Sequence, residues 1–447
     1  MTKDKRIPKR VSTALFNSLG AGVTPRIGLE YIVVGRKDEI KALLGDIENV
    51  GQGGATFRVL VGRYGSGKSF MLQLLRNYAM DRNFAVADAD LSPERRLTGT
   101  QGQGVATYRE LVRNLATRTR PDGGALKPLL ERWISVLQQD VMREEKLRPD
   151  DSKLTGLVEQ RIFEVTQRLE NLVHGFDFAT VIAAYWRGFR EENEALQASA
   201  IKWLRAEYTT KVEARHDLGV RVIIDDDSWY DYLKLLAEFI TAVGYEGLVV
   251  LIDEAVNLYK ITNTVSRQNN YEKLLTILND TLQGKASHLA VVIGGTPMFL
   301  EDSRRGLFSY EALKSRLQAS RFTHSGLQDL SSPVLNLSTL SNEEIFVLLQ
   351  QVRELHSVHY SYTAKVADQE IIAFMEEVLN RVGASEFLTP RDVLRDFVTV
   401  LNLLQQNPDK TFVGIVKGED FIPSDPDVGS AMRQEDRVDE AFADFDL

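Results

Sequence analysis

The sequence lacks cysteine altogether and contains only six histidines and no long apolar run. The absence of cysteine excludes disulfides, thiolate metal sites and cysteine nucleophiles. Its longest apolar runs, such as Leu248–Ile252, have the length of a strand and are far too short to span a membrane. No apolar stretch follows the basic N-terminal residues, which excludes a secretory signal there. We therefore expect a cytoplasmic protein with no membrane partner.

Acidic residues exceed basic residues, but the excess is confined to one end of the chain. The net charge is −9, and residues 419–447 alone carry ten acidic residues against two arginines. This composition, with few apolar anchors, predicts that residues 416–447 form a disordered acidic tail. The rest of the chain is close to neutral, so its charge neither requires nor excludes a nucleic-acid partner.

The spacing of apolar residues predicts an α/β fold with a parallel sheet, because short buried strands alternate with helices at both ends of a long helical stretch. The predicted strands are Phe57–Val61, Phe84–Asp90, Leu248–Ile252, Leu289–Ile293 and Val334–Leu337. The predicted segments are a helical N-terminal segment (1–50), the start of the core (51–107), a helical insertion (108–227), the rest of the core (228–338), a helical lid (339–415) and the acidic tail (416–447).

One motif predicts phosphate binding directly. Residues 62–69, GRYGSGKS, match the pattern G-x-x-x-x-G-K-[ST] in full and lie between a predicted strand and a predicted helix. In this motif the glycines allow backbone N–H groups to surround a phosphate chain, and the following helix adds its positive end. We expect Lys68 to reach the β- and γ-phosphates and Ser69 to bind Mg²⁺. The alternative is a glycine turn beside a surface lysine.

The predicted nucleotide-binding residues form one continuous run. They are Gly62, Arg63, Tyr64, Gly65, Ser66, Gly67, Lys68, Ser69 and Phe70.

A pair of acidic residues follows the third predicted strand. In the run VVLIDE, Asp253 is expected to hold the Mg²⁺ shell and Glu254 to orient and deprotonate an attacking water. The pair favours hydrolysis over mere binding of a nucleotide. The alternative is a strand that ends in an exposed acidic pair without a catalytic role.

Four further residues are candidates for contact with the γ-phosphate. Thr296 follows the strand Leu289–Ile293, although the surrounding GGTP run also fits a plain turn. Arg316, with Arg321 as the alternative, is a candidate to reach the nucleotide of a neighbouring subunit, unless it lies on a solvated helix face. Arg391 lies in the first turn of a predicted helix, where the helix dipole disfavours a cation and an anionic partner would explain it.

The succession of these motifs resembles the AAA+ ATPases, near the origin-recognition and helicase-loading proteins. Within that class the sequence resembles the BREX phage-defence ATPases of the BrxC/BrxD group, and most closely the smaller BrxD-like members, from about Arg10 to Pro408. The stretches that carry this resemblance are Gly28–Glu39, Val86–Leu97, Gly244–Leu258 and Leu388–Asn402.

The resemblance implies an AAA+ P-loop core with a C-terminal helical lid, ATP and Mg²⁺ as cofactors, and a hydrolase role in antiviral defence. It further implies a homo-oligomer whose partners are other BREX proteins, with DNA bound without sequence specificity and a helicase as open alternatives. Two other functions remain open. One is a nucleotide-locked scaffold or signalling switch with little turnover, and the other is a helicase-loader ATPase.

Overall fold

One parallel sheet forms the centre of the fold. The computed structural model describes residues 7–170, 174–318, 329–364, 366–379 and 389–416. Its strands are β1 (Ala55–Val61), β2 (Ala85–Asp90), β3 (Leu248–Asp253), β4 (Leu289–Gly295) and β5 (Val334–Asn336). They lie in the order β2-β3-β4-β1-β5, and β3 pairs in parallel with both β2 and β4. The predicted α/β fold with a parallel sheet is therefore confirmed.

The central strands are apolar because both faces of the sheet are covered. Every residue of β3 up to Ile252 is buried, as is all of β4. The register pairs Asp90 with Asp253 at the carboxyl ends of β2 and β3, so that two carboxylates end neighbouring strands.

Helices make up most of the remaining chain. In the first half they are α1 (Lys9–Gly20), α2 (Lys37–Gly51), α3 (Lys68–Asp81), α4 (Gln103–Arg113), α5 (Leu126–Glu145), α6 (Leu154–Glu170), α7 (Gly175–Arg190), α8 (Glu194–Leu204) and α9 (Lys211–Leu218). In the second half they are α10 (Trp229–Ala242), α11 (Val256–Tyr259), α12 (Thr264–Leu282), α13 (Pro297–Glu301), α14 (Glu311–Leu317), α15 (Asn342–Tyr360), α16 (Asp368–Leu379), α17 (Pro390–Gln406) and α18 (Phe412–Val416). No helix among the residues described is long and apolar enough to cross a bilayer.

The chain divides into two compact units. The first draws on Met1–Lys41, Leu60–Asn77 and Leu335–Leu447, and the second on Ala42–Val59 and Tyr78–Val334. In the first unit α1 packs on α15 and α17, and α15 also packs on α16. At their centre lies His356, which is fully buried and has its ring 5.2 Å from the ring of Phe16.

The second unit contains the helices between β2 and β3. Helix α7 packs against both α6 and α8, and α5 packs against α6. Aromatic side chains fill this core, where the rings of Trp133 and Phe178 lie 5.1 Å and 6.0 Å from the ring of Phe239. Burial of such large side chains dominates the energetics of a core.

The extent of two helical regions shows where apolar spacing is a poor guide. Apolar residues recur at helical spacing only from Tyr271, but α12 begins seven residues earlier, at Thr264, where the side chain of Asn263 accepts a hydrogen bond from Ser266 N–H. Apart from the exposed Val265 its first two turns are polar, so the apolar spacing did not reveal them. The segment 21–36 contains only the 3-10 turn Leu29–Tyr31, because Gly28 and Gly35 have left-handed φ angles of 83° and 70°.

Candidate nucleotide-binding site

The glycine-rich loop joins β1 to α3 and depends on two left-handed glycines. Gly65 and Gly67 have φ angles of 76° and 90°, a region that residues with a Cβ rarely adopt. Helix α3 begins at Lys68, and Met71 N–H donates to the Gly67 carbonyl at 2.9 Å. The loop therefore leads directly into the N-terminal end of a helix, where free N–H groups favour an anion.

Gly62 and Ser66 are packed so closely that the first position admits only glycine. A Cβ on Gly62 would lie 2.1 Å from Ser66 Oγ and 2.8 Å from the Leu337 carbonyl oxygen. The Ser66 hydroxyl is buried and makes no hydrogen bond to any residue that the structure describes. A buried polar atom without a partner calls for an explanation, and an oxygen-rich ligand held by this loop supplies one.

Lys68 lies across the loop that it follows. Its Nζ donates to the carbonyl oxygens of Gly62 at 2.8 Å and of Arg63 at 2.9 Å. These neutral acceptors hold the ammonium group over the loop. Phosphate oxygens would be stronger partners for the same charge, because charge-assisted hydrogen bonds are roughly twice as strong as neutral ones.

The acidic pair lies where β3 ends at Asp253 and a tight turn begins at Glu254. Glu254 has a φ of 57°, which is uncommon for a residue other than glycine, and its N–H donates to Asp253 Oδ1 at 2.8 Å. Its side chain is exposed, while Asp253 is half-buried. Strained backbone of this kind clusters at functional sites. The Asp253 carboxylate is thereby fixed by the backbone of the residue beside it.

Asn257 holds this turn in place, although the motif analysis did not single it out. Its Nδ2 donates to the carbonyl oxygens of Leu91 at 2.8 Å and of Glu254 at 3.2 Å. In addition, Ala255 N–H donates to the Gly294 carbonyl at 3.1 Å. The turn is thus tied to the ends of both neighbouring strands. The sequence signal for Asn257 is a short amide three residues after the acidic pair.

Thr296 follows β4 and caps α13. Its Oγ1 accepts a hydrogen bond from Phe299 N–H at 3.2 Å, an ordinary N-cap role. The hydroxyl hydrogen remains available to donate to a second partner. The N-cap geometry agrees with the plain turn, and the γ-phosphate contact stays a prediction.

Arg316 and Arg391 are both exposed. Arg316 lies in the last turn of α14, where its Nη1 donates to the Ala312 carbonyl of the same helix at 2.7 Å. Arg391 is the second residue of α17, and its Nη2 lies 3.4 Å from Thr24 Oγ1. The alternative candidate, Arg321, lies outside the described residues.

Ser69 and Asp253 were each predicted to bind Mg²⁺, and each carries an oxygen donor of the kind that Mg²⁺ prefers. Among the described residues there is no cluster of three or more histidine, aspartate or glutamate side chains suited to a metal. Mg²⁺ bound with a nucleotide does not need one, because it keeps several waters and takes one or two protein ligands beside the phosphate oxygens. Ser69 and Asp253 are hard oxygen donors of the appropriate kind.

Comparison with known proteins identifies the family of the chain. A search of curated proteins found no relative of this chain. The family model described as BREX system ATP-binding protein BrxC/D matches residues 7–420, which is nearly the whole chain and confirms the resemblance seen in the sequence. Membership implies that the protein binds ATP and works with other components of the BREX system. The chain belongs to the BrxC/D family of BREX ATP-binding proteins.

Proposed function

We propose that this protein is a Mg²⁺-dependent AAA+ ATPase that uses ATP hydrolysis to assemble or remodel a BREX protein complex on DNA. The observation that carries the proposal beyond ATP binding is the conformation of Glu254. A left-handed backbone at a non-glycine residue, fixed by Asn257 and by Asp253, costs free energy. In this proposal the strained backbone places Glu254 beside Asp253, where its carboxylate can reach an attacking water, and this favours turnover over binding alone.

Each candidate residue has a role in this proposal. Lys68 and the backbone of residues 62–70 bind the phosphates, while Ser69 and Asp253 hold the cation. Glu254 orients the attacking water and accepts its proton. Bound ATP supplies the phosphoryl group that is transferred, and Mg²⁺ would supply the positive charge that offsets the charge of the phosphates. Thr296 donates its free hydroxyl hydrogen toward the γ-phosphate.

Two arginines extend the site in the proposal. Arg391, in the first turn of α17, senses the bound nucleotide within one chain. Arg316 is exposed near the end of α14 and serves the nucleotide of the next subunit, which makes a homo-oligomer the active form. An arginine supplied in this way is worth roughly 10³–10⁵ in rate where it is established.

The competing function is a scaffold or switch that binds ATP with little turnover. Steady-state ATP turnover, measured with and without double-stranded DNA, separates the two. The proposed ATPase hydrolyses ATP in a Mg²⁺-dependent way and responds to DNA or to a BREX partner. Turnover that stays at the background of Glu254→Gln under every condition would favour the switch, and ATP-dependent capture of a helicase would favour a loader.

A further inference from the structure

Arg36 is a buried cation that touches the phosphate loop from a distant part of the chain. Its side chain is only 7% exposed, and its Nη2 donates to the Ser66 carbonyl at 3.1 Å. The same nitrogen donates to the carbonyl of Ser338, and Nη1 lies 3.5 Å from Glu39 Oε1. A guanidinium is always charged in proteins and is costly to bury, so a buried arginine needs several acceptors. Two backbone carbonyls and one carboxylate meet that need here.

The contact with Ser66 fixes the orientation of one peptide group in the loop. In a trans peptide the carbonyl and the following N–H point in opposite directions. Because the Ser66 carbonyl points toward Arg36, the N–H of Gly67 points away from it. The positive charge also polarises this peptide, which makes the Gly67 N–H a stronger donor. Arg36 thus prepares one donor of the loop for an anion that it does not itself touch.

The contact with Ser338 links the loop to the chain that leads into α15. Ser338 follows β5, and the preceding residue, Leu337, donates its N–H to the Val61 carbonyl at 2.7 Å. Helix α15 then begins with a capping box between Ser341 and Glu344. One guanidinium nitrogen therefore holds both the phosphate loop and the segment 338–341.

We propose that Arg36 is a positioning residue that orients the Gly67 N–H for the phosphates of ATP and couples their binding to the segment that leads into α15. This inference rests on the proposed role of residues 62–69 in phosphate binding. Loss of the guanidinium leaves the loop free to turn this peptide away from the ligand. Nothing in the motif itself requires an arginine thirty residues before the loop serine.

The chain offers a matched control in Arg58. Arg58 is also buried, forms an ion pair with Asp46 at 2.6 Å and donates to the carbonyl of Ser332, but these partners lie outside the phosphate loop. Both Arg36→Ala and Arg58→Ala are expected to lower the melting temperature. Only Arg36→Ala is expected to weaken the binding of ATP, by roughly 10–100-fold, as loss of a hydrogen bond to a charged group does. Calorimetric titration of the full chain with ATP measures this difference.

A conservative variant of Arg36 provides a second test. Arg36→Lys preserves the charge but not the forked geometry, so its ATP affinity is expected to lie between those of the wild type and Arg36→Ala, even if the alanine variant does not fold. Hydrogen exchange of amides 338–345 is expected to slow on ATP binding in the wild type and not in Arg36→Lys.

The outcomes separate the inference from the proposed function. Normal ATP affinity in Arg36→Lys, or equal losses in Arg36→Ala and Arg58→Ala, would overturn the positioning role. Normal ATP affinity in Lys68→Ala would instead overturn the proposed phosphate site itself.

Discussion

A Cβ atom on Gly65 would lie 2.9 Å from Cγ2 of Thr389, the residue that caps α17. The phosphate loop and the first turn of this C-terminal helix are therefore in direct contact within the first unit. Thr389 keeps its position because its hydroxyl donates to Asp392 Oδ2 at 2.6 Å in a capping box. A ligand that moves the loop must therefore also move the first turn of α17.

This contact predicts the behaviour of a pair of substitutions. Gly65→Ala is expected to weaken ATP binding, because it adds a methyl group against Thr389 and forces alanine into a left-handed φ of 76° at a cost of about 1–2 kcal/mol. Thr389→Ser removes Cγ2 and keeps the capping hydroxyl. The double variant should therefore bind ATP more tightly than Gly65→Ala alone in a calorimetric titration. Equal affinities would show that the contact does not constrain the loop.

Asn257 is expected to affect turnover and not binding. Asn257→Ala removes the hydrogen bonds to the Leu91 and Glu254 carbonyls, which relaxes the turn and should lower kcat roughly tenfold while the ATP affinity is kept. The control is Asn263→Ala, which removes a capping asparagine of α12. Steady-state kinetics measure kcat, and calorimetric titration measures the ATP affinity, for both variants and the wild type. A change in ATP affinity with unchanged kcat in Asn257→Ala would contradict the positioning of Glu254.

Arg316 tests whether the active site is shared between subunits. Arg316→Ala is expected to bind ATP normally and to lose turnover by roughly 10³-fold or more. Mixing it with Lys68→Ala should restore part of the activity, because a mixed interface can pair an intact pocket with an intact arginine. The exposed Arg304 provides a control substitution with no expected effect. Absence of recovery in mixtures that exchange subunits would favour Arg321 or a monomeric switch.

His356 makes the stability of the first unit depend on pH. Burial lowers the pKa of His356, and the neighbouring His359 lowers it further, whereas the hydrogen bond at 3.0 Å to Asn402 raises it. The other ring nitrogen lies 2.9 Å from the hydroxyl of Tyr362. The unfolded chain, with a histidine pKa near about 6.5, binds the proton more readily than the folded chain. The stabilisation is therefore complete above about pH 6.5 and is lost as the pH falls from there through the lower pKa of the folded chain.

Melting temperatures between about pH 7.5 and about pH 5.5 measure this dependence. His356→Gln is expected to flatten it, because glutamine cannot take up the proton. An unchanged slope in His356→Gln would exclude His356 as its source.

The sequence predicted the elements whose signals are local. The buried valine-rich strands and the motif at residues 62–69 each lie within a few consecutive residues, so their periodicity and glycine pattern were sufficient. The polar start of α12 could not be predicted, because the apolar residues of this helix recur at helical spacing only from about Tyr271. The spacing of residues does not indicate a role in the BREX system, and only the resemblance to the family indicated it.

The contacts that shape the site were not predictable because they join distant residues. Arg36 reaches Ser66 across thirty positions and Ser338 across 302, and Asn257 reaches Leu91 across 166. Both residues lie in stretches that carry the family resemblance, but the resemblance does not show which carbonyls they meet. Only the folded chain shows which carbonyls they meet.

The central claim is that Glu254 makes this ATP-binding protein an ATPase. The most direct measurement is the release of inorganic phosphate from Mg²⁺·ATP by the wild type and by Glu254→Gln, alongside the ATP affinity of each. We predict that Glu254→Gln binds ATP as tightly as the wild type and releases phosphate slower by a factor of roughly 10² or more, as loss of a general base does. Equal rates of phosphate release in the two proteins would contradict the account.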